Sequence, residues 1–238
     1  MVHGAENEMK KVSIIMAAGG GRTELLRNAL KSWSKIKYEN FDFILINNGN
    51  YLDVSIIAKE FSFITEFKST YSEESINRIW RREGISSKGD YIVFTMADEI
   101  LSNYDIINIM LNAPIESRCS INTYFLSALQ TERLSEIEWL ENPKLIEKLP
   151  KFWSHKDVEK LENSQRLSGG LLTHITGATK KYWEWFGWFR NEDEGNVNGY
   201  LLLDWDLHVR EKVLKNLCYS IDNNCDTFCC DDYCYKRR

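Results

Sequence analysis

The sequence predicts an α/β fold in which helices cover both faces of a mostly parallel sheet. Through the first half of the chain, short apolar runs alternate with amphipathic segments of helical length, a pattern typical of parallel βαβ units. Hydrophobic residues make up 43% of the 238 residues, enough for a sizeable core. Polar turns follow the strands, so we expect a ligand crevice at the carboxyl ends of the strands.

The first half contains four predicted strands, separated by helices. Strand "KVSIIMA" precedes a helix over about residues 23–36, and strand "FDFILI" ends at "NNGN" before a helix over about residues 53–61. A third strand, "SFITEF", leads to an arginine-containing helix that ends near Gly84. The fourth strand lies in "GDYIVFTMADEIL" and stops at two adjacent acids, Asp98 and Glu99.

The second half is less regular. A strand is predicted in "SINTYFLSAL", and charged helical segments follow over about residues 131–163. All three prolines of the chain, Pro114, Pro143 and Pro150, interrupt this stretch. No linker divides the chain into independent domains.

Charge and hydropathy exclude some classes of protein. Thirty basic and 35 acidic residues give a net charge of -5, so the whole surface carries no strong signature of nucleic-acid binding. No apolar run reaches the length of a membrane span, and we therefore expect a soluble, cytoplasmic protein without a transmembrane segment. Residues 1–10 are predicted to be a polar extension.

Five of the six cysteines lie near the end of the chain, and they are Cys218, Cys225, Cys229, Cys230 and Cys234. Without a secretory signal, reduced thiols in a terminal strand and tail are expected rather than disulfides. The spacing C-x-x-x-C leaves a structural zinc site as the alternative.

Asp98 and Glu99 allow two interpretations. In the first, Asp98 caps a helix and Glu99 occupies its first turn, where acids favour the positive helix end. In the second, the two carboxylates hold a divalent metal at the carboxyl end of a parallel strand.

The glycine-rich loop "AAGGGRTELL" follows the first strand and precedes a helix. It lacks the G-x-x-x-x-G-K-[ST] pattern, and Glu24 stands where a dinucleotide fingerprint needs its third glycine. The second strand ends at Asn47 instead of the acid that would bind a ribose. A nicotinamide enzyme is therefore not expected.

Three blocks resemble glycosyltransferases of the GT-A fold, in particular family 2. The first two are "KVSIIMAAGGGRTELLRNALKSW" with "FILINNGN", and "WRREGISSKGDYIVFTMADEIL". The resemblance implies a GT-A-like, Rossmann-type nucleotide-binding sheet followed by an acceptor-binding second half. It implies donor contacts from Ala17, Ala18, Arg22, Asn47, Arg81 and Asp98.

The same resemblance implies a metal site. Asp98 matches the last acid of the D-x-D motif of these enzymes, whereas Met96 replaces the first acid. Glu99 would compensate, and His208 is a further candidate ligand whose alternative is a structural role. Mn²⁺ or Mg²⁺ held there would neutralise the charge on a departing diphosphate.

The third block, "ITGATKKYWEWFGWFRNEDEGNVNGYLLLDWDLHVREK", is similar to the acceptor region of the family. Asp204 matches the catalytic base of inverting members and Asp206 the second acid, although Leu203 replaces the preceding glutamate. Trp188 and Trp205 are candidates for stacking on a sugar ring of the acceptor, and core packing is the alternative for the aromatic residues of this block.

The resulting prediction is an inverting glycosyltransferase that uses a nucleotide sugar, by default a UDP-sugar, and a hydroxyl acceptor on a glycan, lipid-linked glycan, protein or other molecule. Residues 11–112 would bind the donor, residues 113–217 would bind the acceptor and carry catalysis, and residues 218–238 form a cysteine-rich tail. Two alternatives remain. "AAGGGR" is similar to the turn of sugar-phosphate nucleotidyltransferases, and a catalytically silent nucleotide-sugar-binding protein would explain Met96 and Leu203.

Overall fold

The computed structural model describes residues 9–113, 117–121, 123–126, 153–154, 175–189, 218–221 and 227–230, with side chains over residues 9–113, 117–120 and 175–189. The strands are β1 (Val12–Ala18), β2 (Phe41–Asn47), β3 (Glu66–Ser69), β4 (Tyr91–Met96), β5 (Glu99–Leu101), β6 (Arg118–Ile121), β7 (Thr123–Leu126), β8 (Trp153–Ser154), β9 (Thr176–Thr179), β10 (Cys218–Ile221) and β11 (Thr227–Cys230). The helices are α1 (Thr23–Trp33), α2 (Leu52–Ala58), α3 (Ile76–Ser86), α4 (Ile106–Leu111) and α5 (Lys180–Phe186).

The main sheet confirms the predicted α/β class. Within the described parts of the chain it has seven strands in the order β10-β6-β9-β4-β1-β2-β3. Every neighbouring pair is parallel except those that involve β9, which runs antiparallel to β4 and β6. The chain moves from β1 through β2 to β3 and then returns to place β4 on the other side of β1. This reversal makes the carboxyl ends of β1 and β4 a topological switch point, where open α/β sheets bind ligands.

Alternating side chains of the central strands build a core on each face of the sheet. Ile14 and Met16 of β1 pack with apolar residues of α1, α2 and α4, whereas Ile15 and Ala17 pack on the other face with residues of α3 and α5. Period-two burial of this kind is what a strand covered by helices on both sides requires. The core therefore holds β1 and β4 rigidly beneath the switch point.

A second sheet has the order β5-β11-β7-β8 in the described residues. The run "SINTYFLSAL" was predicted as one strand, but its described part lies in two strands, since β6 pairs with β9 and β10, and β7 pairs with β8 and β11. Residues 153–154 fall in the segment predicted to be helical and instead form β8. The cysteine-rich end supplies β10 and β11, one to each sheet.

Several element boundaries differ from the prediction, and α1 ends at Trp33 instead of near residue 36. Helix α2 ends at Ala58, and β3 begins at Glu66 instead of residue 62. Phe61 and Phe63 still pack against the core, and the Phe63 ring meets Phe43 at 4.8 Å, but they do so from a turn. The strand was predicted too early because the turn contains hydrophobic residues that are also typical of strands. None of the helices in the described ranges combines the length and apolar character needed to cross a membrane.

Candidate functional site

The loop after β1 brings a glycine-rich turn to the switch point. Ala17 and Ala18 are buried on opposite faces of the sheet, so a ligand contact at these positions would be through the main chain. Gly21 has φ of +77°, a conformation that favours glycine, and its N-H donates to Asp53 Oδ2 over 2.9 Å. The loop is thus tied to α2 before α1 begins at Thr23.

Tyr51 wedges its ring between two glycines from different loops. A Cβ atom on Gly20 would lie 2.3 Å from Tyr51 Cδ1, and one on Gly49 would lie 2.6 Å from Tyr51 Cε2. The Tyr51 hydroxyl donates to Glu73, and this hydrogen bond raises the pKa of Tyr51. One side chain therefore connects the loops that follow β1, β2 and β3.

The side chain of Asn47 forms hydrogen bonds within the loop that follows β2. It is fully buried at the end of β2, where its Nδ2 donates to Tyr51 O over 2.7 Å and Ser55 Oγ over 3.0 Å. Its Oδ1 accepts from Tyr51 N-H over 2.8 Å. Both amide hydrogens are thereby used inside the protein. This arrangement favours a structural role over the predicted contact with a nucleotide base.

Asp98 and Glu99 follow β4, and they do not start a helix. Glu99 opens β5, which pairs with β11, and the next helix begins at Ile106, so the helix-cap interpretation is wrong. Glu99 is fully buried, and its Oε2 accepts from Thr95 Oγ1 over 2.8 Å and Met96 N-H over 3.1 Å. Glu99 therefore holds the turn that presents Asp98.

Asp98 faces a cation across the switch point. The Arg22 Nη1 lies 3.2 Å from Asp98 Oδ2, and the side chains are 39% and 11% exposed, respectively. Arg22 comes from the loop after β1 and Asp98 from the turn after β4, and these two strands are neighbours. Two of the predicted donor-binding residues thus meet at the switch point, where open α/β sheets bind ligands.

The arginines of α3 differ in their surroundings. Arg82 is paired with Glu74 at 2.7 Å and Glu83 at 2.8 Å. Burial opposes ionisation of Glu83, but hydrogen bonds from Lys68 and Arg82 outweigh it and lower the pKa of Glu83. Arg81, the predicted donor contact, is partly buried on the same helix.

Trp188 lies in the aromatic core that covers one face of the sheet. It is 7% exposed, and its ring stacks on Trp183 with centroids 6.3 Å apart. Gly84 makes room for it, since a Cβ atom there would lie 2.4 Å from Trp188 Cζ3. This position favours core packing over the predicted stacking on a sugar.

The described residues contain no group of three or more His, Cys, Asp or Glu side chains arranged to hold a metal. The remaining predicted site residues, Asp204, Trp205, Asp206 and His208, lie outside the described residues. Sequence reasoning missed Tyr51 and Asp53, which organise the loops around the predicted donor site. The sequence places Tyr51 close to the glycine of "NNGNYLD", which is the one sign of its role. The position of its ring depends on three separate loops and cannot be read from this stretch.

Comparison with known proteins identifies the fold. Neither a protein-family model nor a curated protein matches the sequence. The mannosyltransferase PcManGT from Pyrobaculum calidifontis, solved in complex with GDP-Man and Mn²⁺, matches with a TM-score of 0.59 and 10% identity over 92% of this chain. TarS from S. aureus matches with a TM-score of 0.60 and 9% identity over 93% of this chain.

This chain spans 57% of the PcManGT chain and 37% of the TarS chain. Identities this low establish likeness of fold alone. The chain accordingly has a GT-A-like glycosyltransferase fold, as the sequence motifs implied, whereas membership of family 2 stays a prediction.

Proposed function

We propose that the protein is a glycosyltransferase that moves a sugar from a nucleotide sugar to an acceptor hydroxyl. The observation that carries the proposal is the position of Asp98, a nearly buried carboxylate at the switch point of a sheet shared with two glycosyltransferase structures. Ligands of open α/β sheets bind at this point. The fold alone would not specify a reaction, but a carboxylate and an arginine there suit a donor with a diphosphate group.

The oxygen ligands available at this site, the Asp98 carboxylate and the phosphates of a bound nucleotide sugar, fit a divalent metal. Mg²⁺ in nucleotide sites is commonly held by one or two carboxylates together with substrate phosphates, so Asp98 does not need three protein partners. Asp98 would hold Mn²⁺ or Mg²⁺, which when bound neutralises charge on the leaving diphosphate. Glu99, predicted as a ligand, would instead position Asp98 through its bonds to Thr95 and Met96. His208 remains a proposed further ligand.

Arg22 and Arg81 are the proposed contacts to the donor diphosphate. Guanidinium groups form paired, charge-assisted hydrogen bonds with phosphate oxygens, and Arg22 already lies next to Asp98. A UDP-sugar remains the default donor. The structure of PcManGT holds GDP-Man, which makes a GDP-sugar the first alternative to test.

Asp204 is the proposed catalytic base. Its carboxylate would accept the proton of the acceptor hydroxyl while the hydroxyl oxygen forms a bond to the anomeric carbon. The bond between that carbon and the diphosphate oxygen breaks on the opposite face, and the diphosphate leaves with the bonding electrons. One displacement of this kind inverts the anomeric configuration. Asp206 and Trp205 are the proposed acceptor contacts.

The proposal is tested first by thermal unfolding with UDP, GDP and their common sugar conjugates, each with and without Mn²⁺. A ligand at a hundred times its dissociation constant stabilises the native state by about 2.7 kcal/mol, which for a protein of this size raises the melting temperature by about 5–10 °C. We expect one nucleotide to give a shift that depends on Mn²⁺ in the wild type and is lost in Asp98→Asn. The absence of any shift would contradict the proposed donor site.

Transfer is then measured with the stabilising nucleotide sugar, by following release of the nucleoside diphosphate. Slow hydrolysis of the donor by water serves as the readout while the acceptor is unidentified. Metal-dependent binding of the sugar nucleotide with no release of diphosphate in the presence of cell-derived glycan, lipid-linked and protein fractions would favour the catalytically silent binding protein.

A further inference from the structure

The ion pair between Arg22 and Asp98 joins the two sides of the proposed donor site. Arg22 stands at the start of α1, after a glycine with a positive φ, and reaches over the end of β1. Asp98 stands after β4 in the turn held by Glu99. Arg22 Nη1 lies 3.2 Å from Asp98 Oδ2. The guanidinium therefore stands next to the carboxylate that is proposed to bind the metal.

We propose that Arg22 acts as a placeholder that neutralises Asp98 until metal and donor arrive together. The guanidinium then moves from the carboxylate to the donor diphosphate, and the Asp98 carboxylate becomes a ligand of the metal. This inference rests on the proposed function and adds an order of binding to it. Metal alone binds weakly, and the nucleotide diphosphate opens the site for it.

Electrostatics supports this exchange. Asp98 is nearly buried, so an arriving metal ion must compete with a nearby positive charge that water screens only partly. A metal bound through one protein carboxylate also needs oxygen ligands from elsewhere, and diphosphate oxygens supply them. Arg22 loses no charge partner in the exchange, because a phosphate replaces the carboxylate.

The exchange requires that metal and nucleotide bind cooperatively. Coupling between two ligands is reciprocal, so the diphosphate must tighten metal binding by the same factor by which metal tightens diphosphate binding. Typical coupling factors are about 5- to 150-fold. Removing the Arg22 charge removes the competitor of the metal and one contact of the diphosphate, and both changes reduce the coupling.

The test measures Mn²⁺ binding to the full chain from the electron paramagnetic resonance signal of free Mn²⁺. It compares the wild type with Arg22→Gln and with Arg27→Gln. Arg27 lies on the same helix but pairs with Glu24 and Glu60, so its neutralisation is a matched control for charge and helix. In the absence of nucleotide we expect Arg22→Gln to bind Mn²⁺ about tenfold more tightly than the wild type, and Arg27→Gln to match the wild type.

The second arm repeats the titration with UDP or GDP, whichever stabilises the protein, after correction for Mn²⁺ bound by free nucleotide. We expect the nucleotide to tighten Mn²⁺ binding by about tenfold or more in the wild type and by less than about threefold in Arg22→Gln. Arg22→Lys keeps a positive charge at this position, and we expect it to retain weak binding of Mn²⁺ alone. Tight binding to Arg22→Lys as well as Arg22→Gln would overturn the charge argument.

Asp98→Asn separates this inference from the proposed function. In the arm with nucleotide, if Asp98→Asn binds Mn²⁺ as tightly as the wild type does, Asp98 is not the metal ligand and the proposed metal site itself fails. If Asp98→Asn loses Mn²⁺ while Arg22→Gln binds Mn²⁺ alone no more tightly than the wild type, only the placeholder role is overturned. Cooperative thermal unfolding of the three Arg22 and Asp98 variants without ligands, at whatever melting temperature, confirms that they are folded.

Discussion

The two sides of the carboxyl edge of the sheet use their polar groups differently. We call the side of β2 and β3 the closed side. Its polar residues form hydrogen bonds within and between the loops, as shown by Asn47, Asn48 and Tyr51. At the switch point, which we call the charged side, Arg22 and Asp98 form an ion pair that is partly open to solvent. The difference fits the proposal, in which the charged side binds the donor diphosphate and the closed side holds the neighbouring loops in place.

The largest expected effect comes from the proposed catalytic base, which should affect transfer but not donor binding on the charged side. Asp204→Asn removes the group that would accept the proton of the acceptor hydroxyl, and we expect the rate of transfer to fall by about 100- to 10,000-fold. Donor binding, measured by thermal stabilisation, should stay close to that of the wild type because the proposed contacts to the donor diphosphate, Arg22 and Asp98, are on the charged side. Asp53→Asn, which alters a loop contact of Gly21, serves as a comparison with an intact base.

Equal loss of donor binding and of transfer in Asp204→Asn would remove Asp204 from its assigned role. It would place that residue in the donor site or in the folding of the domain.

The second prediction concerns the closed side. Asn47→Ala removes three hydrogen bonds and takes the side-chain acceptor from the Tyr51 N-H, whereas the Tyr51 carbonyl keeps Ser55 N-H and Oγ as donors, so we expect a loss of about 2–4 kcal/mol in the free energy of unfolding. Chemical denaturation measures this loss. The affinity for the nucleotide, measured where the variant is fully folded, should change by less than about threefold.

A large change in the preference between UDP and GDP, with little loss of stability, would contradict the structural role of Asn47. It would restore the interpretation that its amide contacts the base.

How far the sequence predicts this molecule depends on whether a feature is local. The alternation of strands and helices is a local pattern, and it correctly predicted β1, β2, β4 and the two-sided core. Arg22 and Asp98 were each assigned to the donor site through the family resemblance, and they meet because loops after adjacent parallel strands share one edge of the sheet. Topology converts two separated sequence motifs into one site.

Features that depend on distant segments were not predictable in this way. Asp98 and Glu99 have the residue types of a helix start, yet Glu99 enters β5 because β11, from the far end of the chain, pairs with it. Trp188 is of a residue type that often stacks on sugars, but it is buried here because Gly84 leaves space for its ring beside α3. Neither contact has a signal in the local sequence.

The third prediction tests the wedge formed by Tyr51. Gly20→Ala places a methyl group against the Tyr51 ring, 2.3 Å from Cδ1, and we expect a loss of about 1–3 kcal/mol in stability from overpacking. Gly19→Ala is the matched control, since a Cβ atom there meets nothing within 4 Å. The double variant Gly20→Ala/Tyr51→Ala should lose less stability than the sum of the losses of its two single variants, because it removes the ring that causes the clash.

Additive losses in the double variant would show that Tyr51 does not press on Gly20. The loops after β1 and β2 would then be independent of each other.

The smallest expected effect is a dependence on alkaline pH that comes from the hydroxyl of Tyr51. Its hydrogen bond to Glu73 is the largest cause of a raised pKa, above the usual value of 10.0. The folded state favours the protonated hydroxyl, so its contribution is complete below about pH 10 and is lost as pH rises through the raised pKa. We expect the melting temperature of the wild type to exceed that of Tyr51→Phe at about pH 8, and the difference to shrink above about pH 10.

Glu73→Gln sharpens this experiment, because it keeps an acceptor oxygen but removes the negative charge that favours the protonated hydroxyl. The pKa of Tyr51 in the folded protein should then lie closer to its usual value, so the alkaline loss of stability should be smaller and end at lower pH than in the wild type. A difference between the wild type and Tyr51→Phe that stays constant up to about pH 11 would mean that the ring alone joins the three loops. The closed side would in that case depend on packing against Gly20 and Gly49 and not on the hydrogen bond at its rim.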